Sequence, residues 1–168
     1  HDVDPEHYKR AVTELGERRA VVAKQAIFNA QGVKVVEKGT PINASLYERL
    51  NAHKLPEPLE DSLSAEGLVS GRSLRMDVEL LLEREAFYAR MTATPTERAK
   101  RLDVVEKLPL PDAMAFQLTL ARDVHPSVYQ HSLRAMWTMI WLASSPLGKR
   151  FELAEAAAVG LLHDMGML

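Results

Sequence analysis

Five prolines in the C-terminal half, Pro95, Pro109, Pro111, Pro126 and Pro146, constrain the architecture of this chain more than any other feature. Proline has no amide hydrogen to donate, and it biases the residue before it away from helical backbone. Each one therefore marks a place where a helix starts or stops. The pieces between them are of helix length and carry apolar residues at helical spacing. Leu74, Val78, Leu81, Leu82, Ala86 and Met91 recur along the first piece, which turns helical at Ser73. Thr94-Pro95-Thr96-Glu97 has the form of a capping box with proline in the first turn, and predicts a helix to about Leu108. Leu108-Pro109-Leu110-Pro111 breaks it. A further helix is expected over Asp112–Asp123, another from His125-Pro126 to about Ser144, and a last one from about Phe151 to His163. The segment Val128–Leu142 is apolar almost all round, which predicts a helix buried on most sides.

The N-terminal third has a different texture. Asp4-Pro5-Glu6 is a helix start, and the stripe Ala11, Leu15, Val22, Ala26 predicts a helix to about Lys24. Ala26 to Val36 reads as two short strands around a turn containing Gly32, closed by Lys38-Gly39-Thr40-Pro41. Asn43 is placed to cap a short helix over 44–53, with Leu46, Tyr47 and Leu50 on one face. Leu55-Pro56-Glu57-Pro58 is a loop, and a weakly patterned segment follows to about Arg72. The expected fold class is mainly α: a small α+β N-terminal part with a β-hairpin, then a helical part. Along the chain this divides into 1–72, connecting helices over 73–110, and a final segment over 111–168.

Composition removes several function classes. A formal charge of −2 over 168 residues lacks the basic footprint of a nucleic-acid binder. With no cysteine, any metal must be held by His, Asp or Glu. The longest apolar run, Leu153 to Leu162, falls far short of the roughly 20 residues of a membrane span. With no signal-like segment visible, a cytoplasmic setting is expected. The chain stops at Leu168 inside an apolar stretch, so we expect the domain to continue beyond it. We also expect the helices ending near Ser144 and Leu168 to self-associate or move.

Chemistry concentrates in three residues. His163-Asp164 ends an apolar helix, where two ionisable groups are costly unless something pairs with them. His131 lies 32 residues earlier, inside the preceding helix. Two helices joined by a short turn pack antiparallel, so His131 can meet the pair if the register allows. Taken singly, His131 reads as a capped core histidine and His163-Asp164 as a hydrogen-bonded helix end. Taken together, in a chain without cysteine, they point to a metal site.

His131-Ser132-Leu133-Arg134-Ala135 followed by Gly160-Leu161-Leu162-His163-Asp164-Met165-Gly166 resembles the opening of the HD superfamily of metal-dependent phosphohydrolases, and within it the HD-GYP branch. The resemblance covers residues 125–168. It implies a bacterial signalling phosphodiesterase with two or three metals, acting on cyclic di-GMP when full-length. His131, His163 and Asp164 would be metal ligands, with Asp164 catalytic as the ligand bridging two ions. The cofactor would be Fe or Mn, and the partner a cyclic dinucleotide. The chain departs from the pattern at Met167, where active members carry lysine, and at Ser127, where three-metal members carry glutamate. The later ligands and the Gly-Tyr-Pro loop lie outside this chain, which by itself is expected to be inactive. A degenerate HD module that binds a nucleotide or a protein without catalysis, and another HD nucleotide phosphohydrolase, are the alternatives.

Other residues have plainer readings. Trp137 and Trp141 are expected in the core rather than stacked on a base. His125 is expected to be exposed at a helix start, and His7 and His53 to be solvated. Gly32 and Gly39 are turn glycines, not a phosphate loop.

Overall fold

A computed structural model describes residues 5–43, 45, 46, 50, 55, 56, 62–145 and 151–165, with side chains from Arg10 onward. Among these the chain is mainly helical, with four short strands. In order the elements are α1 (Pro5–Arg18), β1 (Val21–Ala23), β2 (Ile27–Phe28), β3 (Lys34–Val36), β4 (Leu63–Ala65), α2 (Gly71–Arg84), α3 (Ala86–Ala89), α4 (Pro95–Glu106), α5 (Asp112–Val124), α6 (Pro126–Ala143) and α7 (Leu153–Leu162). No described helix is long and apolar enough to cross a membrane.

These elements form two compact units. One comprises residues 1–68, 111–126 and 166–168, the other 69–110 and 127–165. The units do not follow the three segments drawn along the sequence. Helix α5 groups with the N-terminal elements because Phe116 and Leu120 belong to the cluster built by Leu15, Val21, Val36, Ile42, Leu50 and their neighbours. The helices expected to be connectors, α2 to α4, form one unit with α6 and α7.

In the first unit, β2 and β3 make the expected hairpin, with Ile27 opposite Val36. Its loop is closed by Asn29, whose side-chain oxygen accepts from the amides of Gln31 (3.0 Å) and Val33 (2.8 Å). Gly32 takes φ +76°, a backbone conformation that a Cβ disfavours. Helix α1 ends at Arg18, earlier than the stripe predicts. Val21–Ala23 instead forms β1, antiparallel to β4, with Val21 opposite Ala65 and Ala23 opposite Leu63. The other edge of β1 is paired by the segment after β3: Gly39 donates to Ala23, Ala23 to Thr40, and Ile42 to Val21. Strand pairing on both sides outweighs one more turn of helix, and Val21 and Val22 are β-branched. Asn43 caps as expected, its side chain accepting from the Leu46 amide at 3.1 Å. Leu46 and Leu50 are buried. The rest of the expected 44–53 helix, with Tyr47 and His53, lies outside the described residues.

In the second unit, α2 opens with a capping box between Ser70 and Ser73 and buries Leu74, Val78, Leu81 and Leu82. The helical run expected to pass through Ala86 breaks at Glu85, which has extended backbone, and restarts as the single turn α3. Thr94 caps α4 by accepting from the Glu97 amide, with Pro95 in the first turn. Glu97 completes a variant of the capping box by accepting from the amide of Ala93, one residue earlier than usual. Helix α4 packs on both α2 and α7. Helix α6 buries Tyr129, Ser132, Leu133, Met136, Trp137, Ile140 and Ala143. It is not buried all round: Trp141 and Leu142 are 40% and 46% exposed, so Trp141 leaves the core while Trp137 stays in it. The Trp137 indole N–H donates to the Tyr88 carbonyl at 3.1 Å, which satisfies its polar edge.

Candidate metal centre

The meeting of α6 and α7 is set by Gly160. A Cβ at this position would lie 2.7 Å from the Met136 Cα and 2.8 Å from the Ala135 carbonyl oxygen. The two backbones therefore touch here, and only glycine permits the approach. His131 lies about one turn before this contact on α6. His163 and Asp164 lie about one turn after it, at the end of α7. From these positions on the two helices all three side chains arrive together.

Their geometry is compact. The Nε2 atoms of His131 and His163 are 3.3 Å apart. Asp164 Oδ2 is 3.1 Å from His131 Nε2 and 3.2 Å from His163 Nε2. His163 Nδ1 donates to the Gly160 carbonyl at 2.9 Å. That bond keeps the proton on Nδ1 and turns the Nε2 lone pair toward His131 and Asp164. Gly160 thus serves the site twice, by allowing the crossing and by orienting the ring.

Two imidazole nitrogens and a carboxylate oxygen are ligand types suited to divalent first-row metals. With bonds of about 2.1 Å, neighbouring ligands sit about 3.0 Å apart around an octahedral ion and about 3.4 Å apart around a tetrahedral one. The edges of 3.1 to 3.3 Å fall between those values. An electrostatic argument agrees with the fit. A carboxylate oxygen and lone-pair nitrogens this close repel one another unless positive charge lies between them. A cation among the three atoms relieves all three edges together. Among the described residues this is the one His/Asp/Glu group with the spacing to hold an ion.

The site differs from its sequence expectation in burial. The side chains of His131, His163 and Asp164 are 55%, 37% and 31% exposed. Their cost as buried ionisable groups is therefore smaller than expected for the end of a core helix, and solvent can reach any ion they hold. Gly166 and Met167 lie outside the described residues. Ser127, in the first turn of α6, is exposed. His125 is half-buried rather than exposed. It caps the C-terminal end of α5 in the first unit, with its amide on the Ala121 carbonyl.

Two features beside the triad were not anticipated. One is a groove of about 430 Å³ in the second unit, lined by His131 and His163 together with Tyr88, Ala135, Met139 and Val159, among others. Its volume lies within the range of about 300–1,000 Å³ typical of small-molecule sites. The other is Arg134, which also lines the groove and is fixed by Glu85. Arg134 Nε lies 3.1 Å from both Glu85 carboxylate oxygens, and Nη2 donates to Oε1 at 2.7 Å. The hydrogen bonds from Arg134 hold the Glu85 carboxyl below its ordinary range, and those same bonds raise Arg134. Arginine in a His-Ser-x-Arg run was visible in the sequence, but its partner 49 residues away was not.

No known protein-family model, curated protein or solved structure matches the chain.

Proposed function

We propose that the second unit carries the ligand set of a metal-dependent phosphohydrolase of the HD type, and that the full-length protein hydrolyses a cyclic dinucleotide such as cyclic di-GMP. The observation that carries this reading is the convergence of His131, His163 and Asp164 within 3.3 Å of one another, at the positions the HD resemblance nominates. A divalent ion bound there supplies Lewis acidity toward a phosphoryl oxygen and lowers the pKa of water. His131 and Asp164 would bind it directly, and His163 would do so with its ring fixed through Nδ1. Side-chain exposure leaves the open side of the triad to water and substrate. Fe or Mn is the expected ion, in keeping with the HD-GYP resemblance.

Met167 and the exposed Ser127 favour a second reading. The lysine of active HD-GYP members and the glutamate of three-metal members are replaced here by a thioether and a hydroxyl. In that reading the unit binds a nucleotide or a protein without hydrolysing it. Elemental mass spectrometry of the full-length protein, with cyclic di-GMP turnover assayed on the same samples, separates the two. The phosphodiesterase reading expects bound Fe or Mn and turnover, both lost in a His163→Ala/Asp164→Ala variant. Bound metal without turnover points to the non-catalytic module, and absence of both removes the metal reading.

A further inference from the structure

We propose that Arg134 anchors a phosphoryl oxygen of the ligand bound at the triad, the groove beside it taking the ligand's apolar body. This rests on the metal-dependent reading above. Arg134 follows His131 by three positions on α6, so the two side chains leave the helix on the same side. Both line the groove, together with His163. Glu85 occupies only the Nε and Nη2 edge of the guanidinium. The remaining nitrogen, Nη1, has no hydrogen-bond partner among the described residues and keeps its donors for a ligand.

The surroundings favour an anion. Among the described residues no carboxylate lines the groove; beyond its cationic and imidazole groups the described lining is Tyr88, Thr138 and apolar side chains such as Met139 and Val159. The Thr138 hydroxyl donates to the Arg134 carbonyl, 2.8 Å away. Glu85 neutralises part of the charge, but it also immobilises a long side chain. A guanidinium already held on one edge loses less freedom when it binds an anion on the other. Its planar fork suits a tetrahedral oxyanion better than a point charge does. Apolar walls next to a fixed cation match an organic phosphate ester rather than a bare inorganic ion.

The test uses calorimetry with two probes, Mn²⁺ alone and then phenyl phosphate added to the Mn²⁺-loaded protein. Arg134→Gln is expected to weaken phenyl phosphate binding about tenfold to a hundredfold, the worth of a charge-assisted hydrogen bond, with Mn²⁺ affinity within twofold of wild type. Arg134→Lys keeps the charge and a bond to Glu85 but loses the fork, and is expected to weaken binding severalfold. If circular dichroism shows that Arg134→Gln has lost its helices, Arg134→Lys decides. Wild-type affinity for phenyl phosphate in the folded Gln variant, or in the Lys variant, overturns the anchor. So does absence of phenyl phosphate binding to the Mn²⁺-loaded wild type. Failure of wild type to take up Mn²⁺ at the first step instead overturns the metal reading on which the anchor depends.

Discussion

Replacing Gly160 by alanine would place a methyl carbon 2.7 Å from the Met136 Cα and 2.8 Å from both the Met136 nitrogen and the Ala135 carbonyl oxygen. Carbon atoms in comfortable contact are about 3.5–4.0 Å apart, so α6 and α7 must part by roughly 1 Å or tilt. Forcing a methyl into such a contact costs about 1–3 kcal/mol. Alanine's better helix propensity offsets about 1 kcal/mol of that. The net loss of stability is therefore modest, about 0–2 kcal/mol, or a few degrees of Tm in a chain of this size. The triad is affected more. His131 and His163 each sit about one turn from the contact, and a shift of roughly 1 Å far exceeds the ±0.2 Å or so that metal–ligand distances tolerate. Mn²⁺ affinity should fall at least tenfold, measured by calorimetry beside a thermal melt. Ala154→Gly on the exposed face of α7 is the comparison: it lowers helix propensity away from the crossing, so Tm should drop while Mn²⁺ affinity stays. A Gly160→Ala protein with wild-type Mn²⁺ affinity and a raised Tm would refute the claim that this crossing sets the site.

Asp123 is 15% exposed in the first unit and accepts from the guanidinium groups of Arg19 and Arg122. Asp123→Ala leaves both without that partner and should destabilise the chain by about 1–3 kcal/mol, read from urea denaturation. Glu85 has a carboxyl held below its ordinary range by hydrogen bonds from Arg134. Its contribution to stability is therefore complete above the ordinary carboxylate pKa of about 4.3 and is lost as pH falls through the lower folded value. Glu85→Gln should lower Tm near neutral pH, and the difference from wild type should close as the solution is acidified. A difference independent of pH would remove the ion pair as its cause.

The helical half was largely legible because its signals are local. Thr94 and Pro95 open α4, Pro126 opens α6, and the apolar spacing of Leu74, Val78 and Leu81 marks α2. Gly32 announced the hairpin for the same reason, since the turn needs a residue at ease with positive φ. The β1–β4 pair was not legible. Three-residue strands carry too little periodicity, and Val21 meets Ala65 across more than forty residues of chain. Val22 and Ala26 instead extended the stripe of α1 and hid the strand. The grouping of α5 with the N-terminal elements is likewise a long-range fact, carried by Phe116 and Leu120.

At the site, residue identities were readable and their environment was not. That His131 could face His163-Asp164 was readable from their places on consecutive helices, and the structure brings them together. The close crossing at Gly160 and the openness of the triad depend on how α6 and α7 approach, which no local pattern encodes. Trp141 shows the same limit: an apolar residue on a mostly apolar helix still lies 40% exposed.

Titration of the chain with Mn²⁺, followed by electron paramagnetic resonance of the free ion, tests the central claim most directly. Wild type should bind one ion per chain through His131, His163 and Asp164, and His131→Ala or Asp164→Ala should each weaken uptake at least tenfold while keeping the helical circular dichroism of the wild type. Uptake that is absent in the wild type, or equal in the three folded proteins, would contradict a metal centre at the meeting of α6 and α7.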